Sequence, residues 1–480
     1  MRFVALIKFL TCVEMGVSAL LKNDCTKSAE MSDYYEDFAL WNKERTSRQL
    51  KHIYPSSFAN GFMIYPQLRP EGFNNQMISF YFYIRACILS GAMLVLPLMI
   101  ESNQWSKFST MGPRGPFPLS DYFDTEELLK IVPIVDNKDF WVQCSNQTVF
   151  LLDSFKSTSE AAERELIEAF KNHQQERFTR ITNVKYELIN LKENEKVFLC
   201  QLPECSNDET RQHLVKVQIL RAINRNIRNR NSSEKELSVL PTCIAVHRYL
   251  ISNLGLGKKE FFNYQKGYQG HSINNLNFRR IFASLKPSKP LLCVTKMISE
   301  RILMETESFA FNGMHVRRGD FRAFLESFEF RQKYDKIINK RKSRRDGKVS
   351  DGSTDYSRDS VNLIDLYQDR QSILQNDSVI IQTVLKQLHM PLLHIFVASD
   401  EPFQIKSMLM NAGVAGLKVY ILQDFLHLFP LWMRERNDLH LVVEQSLLVD
   451  SNLFIGNRFS SVSAHVFRHR LLQNKTSSTF

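Results

Sequence analysis

With 480 residues, 44% of them hydrophobic, and only 17 glycines and 15 prolines, the chain is globular and long enough for two or three domains. No repeat with a period of 20–50 residues is visible, which excludes solenoids and propellers. The formal net charge of +11 indicates an anionic ligand, an anionic surface or a local basic segment.

Much of the positive charge is local. Residues 338–360 hold a basic cluster followed by serine, aspartate and glycine, and this composition predicts a disordered surface insertion. Since no aromatic residues are interleaved with the basic cluster, we expect no nucleic-acid partner.

The amino-terminal segment resembles a secretory signal, with Arg2, an apolar stretch and a small-residue site at 17–19. Residues 1–19 are therefore predicted to be a signal peptide or, if uncleaved, a membrane anchor. Four N-x-S/T sequons agree with passage through the secretory pathway, at Asn146, Asn231, Asn376 and Asn474.

Eight cysteines lie at positions 12, 25, 87, 144, 200, 205, 243 and 293, and signal cleavage would leave seven. An odd set leaves at least one thiol outside a disulfide. We expect Cys87 to be that residue, because the run YFYIRACIL is predicted to be buried and a buried cysteine behaves as a small hydrophobe. No cysteine spacing matches a zinc site.

The first part of the chain alternates strand-like and helical patterns. The sequence predicts a helix after Asn74 and strands over 61–67, 92–99 and 130–136. This βαβ rhythm favours a parallel sheet covered by helices. Residues from about 156 to 248 are predicted to be polar and helical.

A second βα series begins near Pro290. Its predicted helices cover 291–306, 378–389 and 438–451, and its predicted strands cover 309–320, 392–401, 416–424 and 452–461. Two such series imply two doubly wound domains, in which ligands bind beyond the carboxyl ends of strands. The cleft between the two domains is the expected site.

Three polar clusters follow strands in the second half: 315–320, 399–401 and 457–463. The carboxyl ends of parallel strands lie along one edge, so all three clusters should face one crevice. An arginine fork there suits a phosphate, and a helix beginning near Ser460 would point its positive end at the same anion. The alternative for each cluster is structural, namely a surface turn with a salt bridge, an acidic helix cap and a serine cap.

The stretches HVRRGDF, FVASDE and FIGNRFSSVSAHVFRHR resemble three motifs shared by GDP-fucose-dependent fucosyltransferases, and RPEGFNNQ (69–76) resembles a fourth. Together with AMLVLP and SDYFDTEELLKIVPIV, the fourth is most similar to the protein O-fucosyltransferases that modify thrombospondin type 1 repeats. The resemblance covers about 50–140 and 290–470.

The resemblance implies an α/β GT-B fold, with two Rossmann-like doubly wound domains facing a cleft. Residues 50–288 would form the acceptor-side domain, and residues 289–480 the GDP-fucose-binding domain that carries the basic insertion. The implied reaction is inverting transfer of fucose from GDP-fucose to Ser or Thr of a small, folded, disulfide-rich repeat. We expect this reaction in the endoplasmic reticulum, with the Golgi as the alternative, and membrane contact only if the leader stays uncleaved.

No cofactor and no metal are implied, and the chain contains no D-x-D metal-nucleotide motif. Arg317 would neutralise the β-phosphate as the glycosidic bond breaks. Glu71 would be the base that deprotonates the acceptor hydroxyl, although a carboxylate stabilising a helix start is the alternative for this residue. The other implied contacts to GDP-fucose are Gly72, Phe73, Asn74, His315, Asp320, Asp400 at the guanine end, Ser460 and Ser461.

Two departures concern the acceptor. Gly319 stands where thrombospondin-repeat enzymes commonly carry a lysine, and the resulting HxRRGD form is closer to sugar-modifying fucosyltransferases. Val462 replaces an expected aromatic residue. A glycan hydroxyl is therefore the alternative acceptor, and a nucleotide-sugar-binding pseudoenzyme is the alternative outside the enzymes.

Overall fold

The structure, a computed structural model, describes residues 62–66, 73–90, 92–99, 117–144, 148–153, 185–190, 242–246, 276–306, 309–317, 377–388, 393–457 and 460–479. The strands are β1 (Phe62–Pro66), β2 (Met93–Val95), β3 (Leu98–Met99), β4 (Phe117–Pro118), β5 (Ile134–Val135), β6 (Thr148–Asp153), β7 (Lys185–Asn190), β8 (Thr242–Val246), β9 (Asn312–Val316), β10 (His394–Ser399), β11 (Lys418–Ile421), β12 (Phe454–Gly456) and β13 (Ser477–Thr479).

The α-helices are α1 (Phe73–Ser90), α2 (Thr125–Leu129), α3 (Asn137–Gln143), α4 (Leu276–Ser284), α5 (Lys289–Thr306), α6 (Asp377–Gln387), α7 (Pro402–Met410), α8 (Leu431–Arg434), α9 (Asn437–Asp450) and α10 (Ser461–Leu472). Two 3-10 helices cover Leu119–Asp121 and Leu422–Leu428. Within these ranges no helix has the length and hydropathy needed to cross a bilayer.

The described residues divide into two compact units. The first unit contains the described residues up to Cys293 together with Pro430–Val442, and the second contains those in Val294–Phe429 and from Val443 onward. Each unit has its own parallel sheet. The predicted α/β class with two parallel-sheet domains is confirmed, whereas the facing of the two domains about a cleft stays a prediction.

The sheet of the first unit has six parallel strands in the order β5-β2-β1-β8-β6-β7. The prediction that 156–248 is helical was wrong at two places, because β7 and β8 come from this region and β8 lies between β1 and β6. At six and five residues, both strands are short interruptions of a region whose pattern is polar. The remainder of 156–248 lies outside the described residues.

Prolines shorten two of the predicted strands. The single strand expected over 92–99 is interrupted at Leu96-Pro97, and β3 then pairs antiparallel with β4. The strand expected over 130–136 is reduced to Ile134–Val135, directly after Pro133. Proline has no backbone N–H and cannot donate to a central ladder, so each break follows from the residue type.

The cysteine prediction is confirmed at Cys87, a buried thiol on α1. Burial raises the pKa of this thiol well above its ordinary value, so the sulfur stays protonated and unreactive. Cys144 and Cys243 form a disulfide that joins the end of α3 to β8 across a sequence separation of 99 residues. Cys293 is also disulfide-bonded.

The sheet of the second unit has five parallel strands in the order β11-β10-β9-β12-β13. Strand β9 occupies the centre, and all five of its residues are buried. Gly313 of β9 allows α9 to pack closely on the strand, because a Cβ at this position would lie 2.9 Å from Leu448 Cδ2 and 2.7 Å from Ser451 Oγ. Helix α9 therefore packs directly on the central strand.

Arg470 fixes the turn from α9 into β12. The fully buried guanidinium of this α10 residue donates from Nη1 to the Val449 carbonyl at 2.9 Å and from Nη2 to the Asn452 carbonyl at 2.7 Å. Its Nε donates to Ser477 Oγ at 3.0 Å. One charged side chain thus satisfies carbonyls at the carboxyl end of α9, where a cation is favoured by the helix dipole.

A second buried arginine organises the first unit. Arg436, 3% exposed, donates to Asp121 Oδ2 at 3.2 Å and to Asp438 Oδ2 at 2.7 Å. Its guanidinium carbon lies 3.4 Å from the centre of the Phe117 ring. Burial raises the pKa of Asp121 to about 6, although the charge and hydrogen bond of Arg436 act in the opposite direction.

The Arg436 network reaches the start of α1 through Tyr122. The hydroxyl of Tyr122 donates to Asp438, and the Tyr122 ring packs against Phe73 with ring centres 5.2 Å apart. Burial raises the pKa of Tyr122 well above its ordinary value, so the hydroxyl stays a donor. The first residue of α1 is therefore held by a chain of contacts that ends on a buried ion pair.

Replacing Arg436 by methionine should lower the free energy of unfolding by about 3–5 kcal/mol, because two buried carboxylates lose their cation. The measurement is chemical denaturation followed by fluorescence. Arg301→Met is the matched control: its exposed pair with Glu305, at 2.7 Å, should be worth less than about 1 kcal/mol. Equal losses in the two variants would show that the buried network contributes no more than a surface pair.

Candidate functional site

The three polar clusters lie side by side at one edge of the second sheet. In register, Ser399 of β10 lies opposite Val316 of β9, and Gly456 of β12 lies opposite His315. Because β10, β9 and β12 are neighbours and parallel, their carboxyl ends leave the sheet together. The sequence-based expectation that 315–320, 399–401 and 457–463 share one edge is met where these stretches are described.

His315 is buried against the first turn of α10. Its Nδ1 lies 2.7 Å from Ser463 Oγ. Burial lowers the pKa of His315 to about 3, and the positive charge of Arg317 acts in the same direction. The imidazole is therefore neutral at any physiological pH, and the fixed positive charge next to it belongs to Arg317.

Gly456 makes this contact sterically possible. A Cβ at position 456 would lie 2.9 Å from Ser463 Oγ and 2.7 Å from the Phe454 ring, closer than real Cβ atoms approach. A residue without a side chain therefore lets the first turn of α10 settle over the end of β12.

Ser460 is the N-cap of α10. Its hydroxyl accepts from the Val462 backbone N–H at 3.2 Å, and its own N–H donates to the Asn457 carbonyl. The serine-cap interpretation of this cluster is thus correct. Within the described residues nothing accepts the hydroxyl proton of Ser460, so the same group could also donate to a ligand.

Arg317 and Asp400 leave neighbouring strands at this edge. Arg317 is half-buried directly after β9, and Asp400 is exposed directly after β10. The Ser399 hydroxyl accepts from the Glu401 N–H at 3.0 Å, and Glu401 is the N-cap residue of α7. The turn after β10 therefore leads directly into α7. A nucleotide contact by Asp400 stays a prediction.

Two features of this edge favour an anion, against the negative charges of Asp400 and Glu401 on the turn after β10. Arg317 is the charged residue at the end of β9, and the amino terminus of the twelve-residue α10 adds the positive end of a helix dipole. Ser461, half-buried, stands at the first helical position. Together these groups are suited to an anion with several oxygen acceptors, such as a phosphate or diphosphate.

The remaining predicted site residues fall in two groups. Phe73 and Asn74 belong to the first unit, where both are buried; Phe73 packs on Tyr122 and Phe123, so its ring supports the start of α1. Their contact with a substrate stays a prediction. Glu71, Gly72 and Asp320 lie outside the described residues.

Two features of the second unit gave no clear signal in the sequence. Gly456 ends an apolar run within the third motif, and only the three-dimensional approach of Ser463 shows why a glycine is needed there. Glu444 on α9, one turn before Leu448, is half-buried and has no ion-pair or hydrogen-bond partner among the described residues. Burial raises the pKa of Glu444 to about 8.

The described residues define a protein of two parallel-sheet α/β units, one of which brings Arg317, Ser460 and the amino terminus of α10 to one edge of its sheet. Residues 62–473 match the family model described as GDP-fucose protein O-fucosyltransferase. The chain belongs to this family of fucosyltransferases, which are glycosyltransferases that use GDP-fucose.

Solved structures of POFUT1 and of the fucosyltransferase NodZ are similar to this chain over most of its length. The apo crystal structure of POFUT1 is 12% identical, with 88% of this chain and 98% of that chain covered and a TM-score of 0.48. POFUT1 in complex with GDP-fucose is 13% identical over 88% and 98%, with a TM-score of 0.46. NodZ from Bradyrhizobium is 14% identical over 86% and 92%, with a TM-score of 0.38.

Because these three TM-scores are below 0.5, family membership rests on the match to the family model and not on the structural similarity. A search of curated protein sequences finds no match.

The stability gained on replacing Glu444 by glutamine should grow as the pH rises from 5 to 8. The folded state keeps the Glu444 proton up to about pH 8, whereas the unfolded chain releases it near pH 4.5, so the wild type loses stability across this window. Thermal unfolding of both proteins at pH 5 and pH 8 measures the effect, with exposed Glu435→Gln as the control for removing one acidic group. A pH-independent difference between wild type and Glu444→Gln would contradict it.

Proposed function

We propose that this protein is an inverting, metal-independent fucosyltransferase that transfers fucose from GDP-fucose to Ser or Thr of a folded protein domain. The single observation that carries the proposal is the position of Arg317. In a member of a GDP-fucose family, it stands at the carboxyl end of the central strand, along the same edge as the amino terminus of α10. This is where a nucleotide diphosphate would need positive charge.

The chemical role of Arg317 follows from the leaving group. As the fucose–phosphate bond breaks, negative charge grows on the β-phosphate of GDP. A guanidinium keeps its charge when partly desolvated and offers two parallel N–H donors to phosphate oxygens. With Ser460, Ser461 and the helix dipole, Arg317 would stabilise this charge more in the transition state than in the ground state. No step in this scheme requires a divalent ion, and the sequence lacks a D-x-D motif.

Glu71 is proposed as the base. An acceptor hydroxyl is a weak nucleophile, and inversion needs a proton acceptor on the face of the sugar opposite the leaving group. Glu71 lies two residues before Phe73, the residue that the Arg436 network holds through Tyr122.

The sequence favours a protein acceptor but leaves a second candidate. RPEGFNNQ supports a folded, disulfide-rich repeat of the thrombospondin type 1 class. Gly319, in the HxRRGD form, favours a glycan hydroxyl instead. We place the reaction in the secretory pathway, with the endoplasmic reticulum preferred over the Golgi, and the Cys144–Cys243 disulfide supports an oxidising compartment.

The decisive experiment incubates the full chain with GDP-fucose and, separately, folded thrombospondin type 1 repeats, folded EGF-like repeats and oligosaccharides. Mass spectrometry should find one added fucose on the thrombospondin repeat, with or without a chelator. Glu71→Ala should bind GDP normally yet transfer at least about 100-fold more slowly, because general-base catalysis is removed.

Each other outcome changes the proposal. Fucose on the oligosaccharide alone would make the protein a glycan-modifying enzyme. GDP binding without any product would identify a pseudoenzyme, and loss of transfer with the chelator would overturn the metal-free mechanism.

Arg317→Ala should weaken GDP binding by about 10–100-fold and abolish transfer, since a hydrogen-bonded charge is worth about 1.5–3 kcal/mol. Calorimetry with GDP and with guanosine isolates the phosphate contribution, because guanosine binding should change little. Arg317→Lys, which keeps the charge and loses the planar fork, should be intermediate, and exposed Arg301→Ala is the control. Equal weakening of GDP and guanosine would remove Arg317 from the phosphate.

A further inference from the structure

We infer that Ser463 is a positioning residue whose hydroxyl donates a hydrogen bond to Nδ1 of His315 and so fixes the imidazole with its proton on Nε2. The inference concerns a residue to which the fucosyltransferase motifs gave no separate role. Its consequence for nucleotide binding rests on the proposed function, whereas the direction of the hydrogen bond does not.

The direction follows from the burial of Ser463. Its side chain is 0% exposed, and His315 Nδ1, at 2.7 Å, is its one hydrogen-bond partner in the described part of the chain. A buried hydroxyl that donates to nothing costs about 1–3 kcal/mol. If Nδ1 carried the proton, Ser463 would accept it and its own O–H would be left without an acceptor. The arrangement that satisfies both groups has the serine donating and Nδ1 accepting.

The tautomer follows from the neutrality of the ring. A doubly protonated imidazole would have no acceptor for Ser463, but burial and the charge of Arg317 keep the pKa of His315 near 3. The ring therefore has one proton, and this proton lies on Nε2 because Nδ1 is the acceptor. No described residue hydrogen-bonds Nε2, so this N–H remains for an acceptor atom of a ligand.

The second unit contains two similar glycine–serine contacts, and only the one at Ser463 involves a histidine. Gly313 of β9 lies against Ser451 Oγ, as Gly456 of β12 lies against Ser463 Oγ. Ser451 Oγ donates to the Leu448 carbonyl at 2.8 Å and accepts from Arg470 Nη1 at 3.2 Å, and no histidine is among its partners in the described part of the chain. The first contact holds a helix on the sheet, and the second also sets the chemistry of a histidine beside Arg317. Ser451 is therefore a matched control for the loss of a buried serine hydroxyl.

The consequence at the site is a neutral donor next to a charged one. Arg317 supplies positive charge, and His315 supplies an N–H whose protonation state does not change between pH 5 and pH 8. A ribose hydroxyl or a phosphate oxygen of the nucleotide would be a suitable acceptor. Without Ser463 the ring could rotate or take the other tautomer, which would present an acceptor to an oxygen-rich ligand.

The test measures the tautomer directly. Histidine-selective ¹⁵N labelling of the full chain at pH 7, with His315→Gln to assign the signal, should show Nε2 protonated and Nδ1 as a hydrogen-bonded acceptor. In Ser463→Ala the Nδ1 resonance should move toward that of an acceptor without a hydrogen bond, or the two tautomers should interconvert. In Ser451→Ala the His315 resonances should stay unchanged even though stability falls. Wild-type protein with the proton on Nδ1 would overturn the inference, whether or not Ser463→Ala folds.

The second arm is GDP binding by calorimetry. Ser463→Ala should bind GDP about 3–10-fold more weakly, and Ser451→Ala should bind as wild type does. Wild-type affinity in Ser463→Ala would show that the serine has no positioning role. A wild type that does not bind GDP at all would refute the proposed function and leave the tautomer result standing.

Discussion

The pairing of β9 with β12, with Gly456 opposite His315, is the constraint on which the candidate site depends. A strand neighbour without a side chain leaves a space at the sheet surface, and Ser463 occupies it. The first turn of α10 is thereby set against the last residues of β9. Arg317, one residue past the strand, and Ser460, the helix cap, then leave the same edge of the sheet.

Two buried arginines, one in each unit, stabilise backbone segments that lead to predicted site residues. Arg470 satisfies carbonyls where α9 turns into β12, just before the strand that carries Gly456. Arg436 joins Asp121 and Asp438 and, through Tyr122, supports Phe73. Burying a charge is costly unless every donor is used, so both networks hold their surroundings in one arrangement. Arg470 ends the third motif and Arg436 lies outside all four, and neither was predicted to be buried.

The sequence predicted most of the second unit because its strands are apolar runs, each followed by polar residues. It located β9, β10, β11 and β12, the helix after Ser460, and the common edge of the three clusters. It failed where short elements depend on distant partners: β8 owes its central position to β1 and β6, which lie far away in the chain. Pro97 and Pro133 interrupt two of the predicted strands, and proline is a residue type that predicts such a break. Gly456 and Glu444 could not be recognised, since their roles come from packing.

His315 and Arg317 divide two tasks that one residue could not perform together. A protonated histidine at this position would add charge, but its charge would vanish between pH 5 and pH 8 if its pKa stayed near the ordinary value. Burial beside Arg317 removes that variability, because the ring is already neutral and the arginine is always charged. Binding of an anion at this edge should then owe its pH dependence to the ligand and not to the protein. The hydrogen bond from Ser463 to Nδ1 of His315 fixes which nitrogen of the neutral imidazole has the proton. With Nδ1 as the acceptor, Nε2 is the donor.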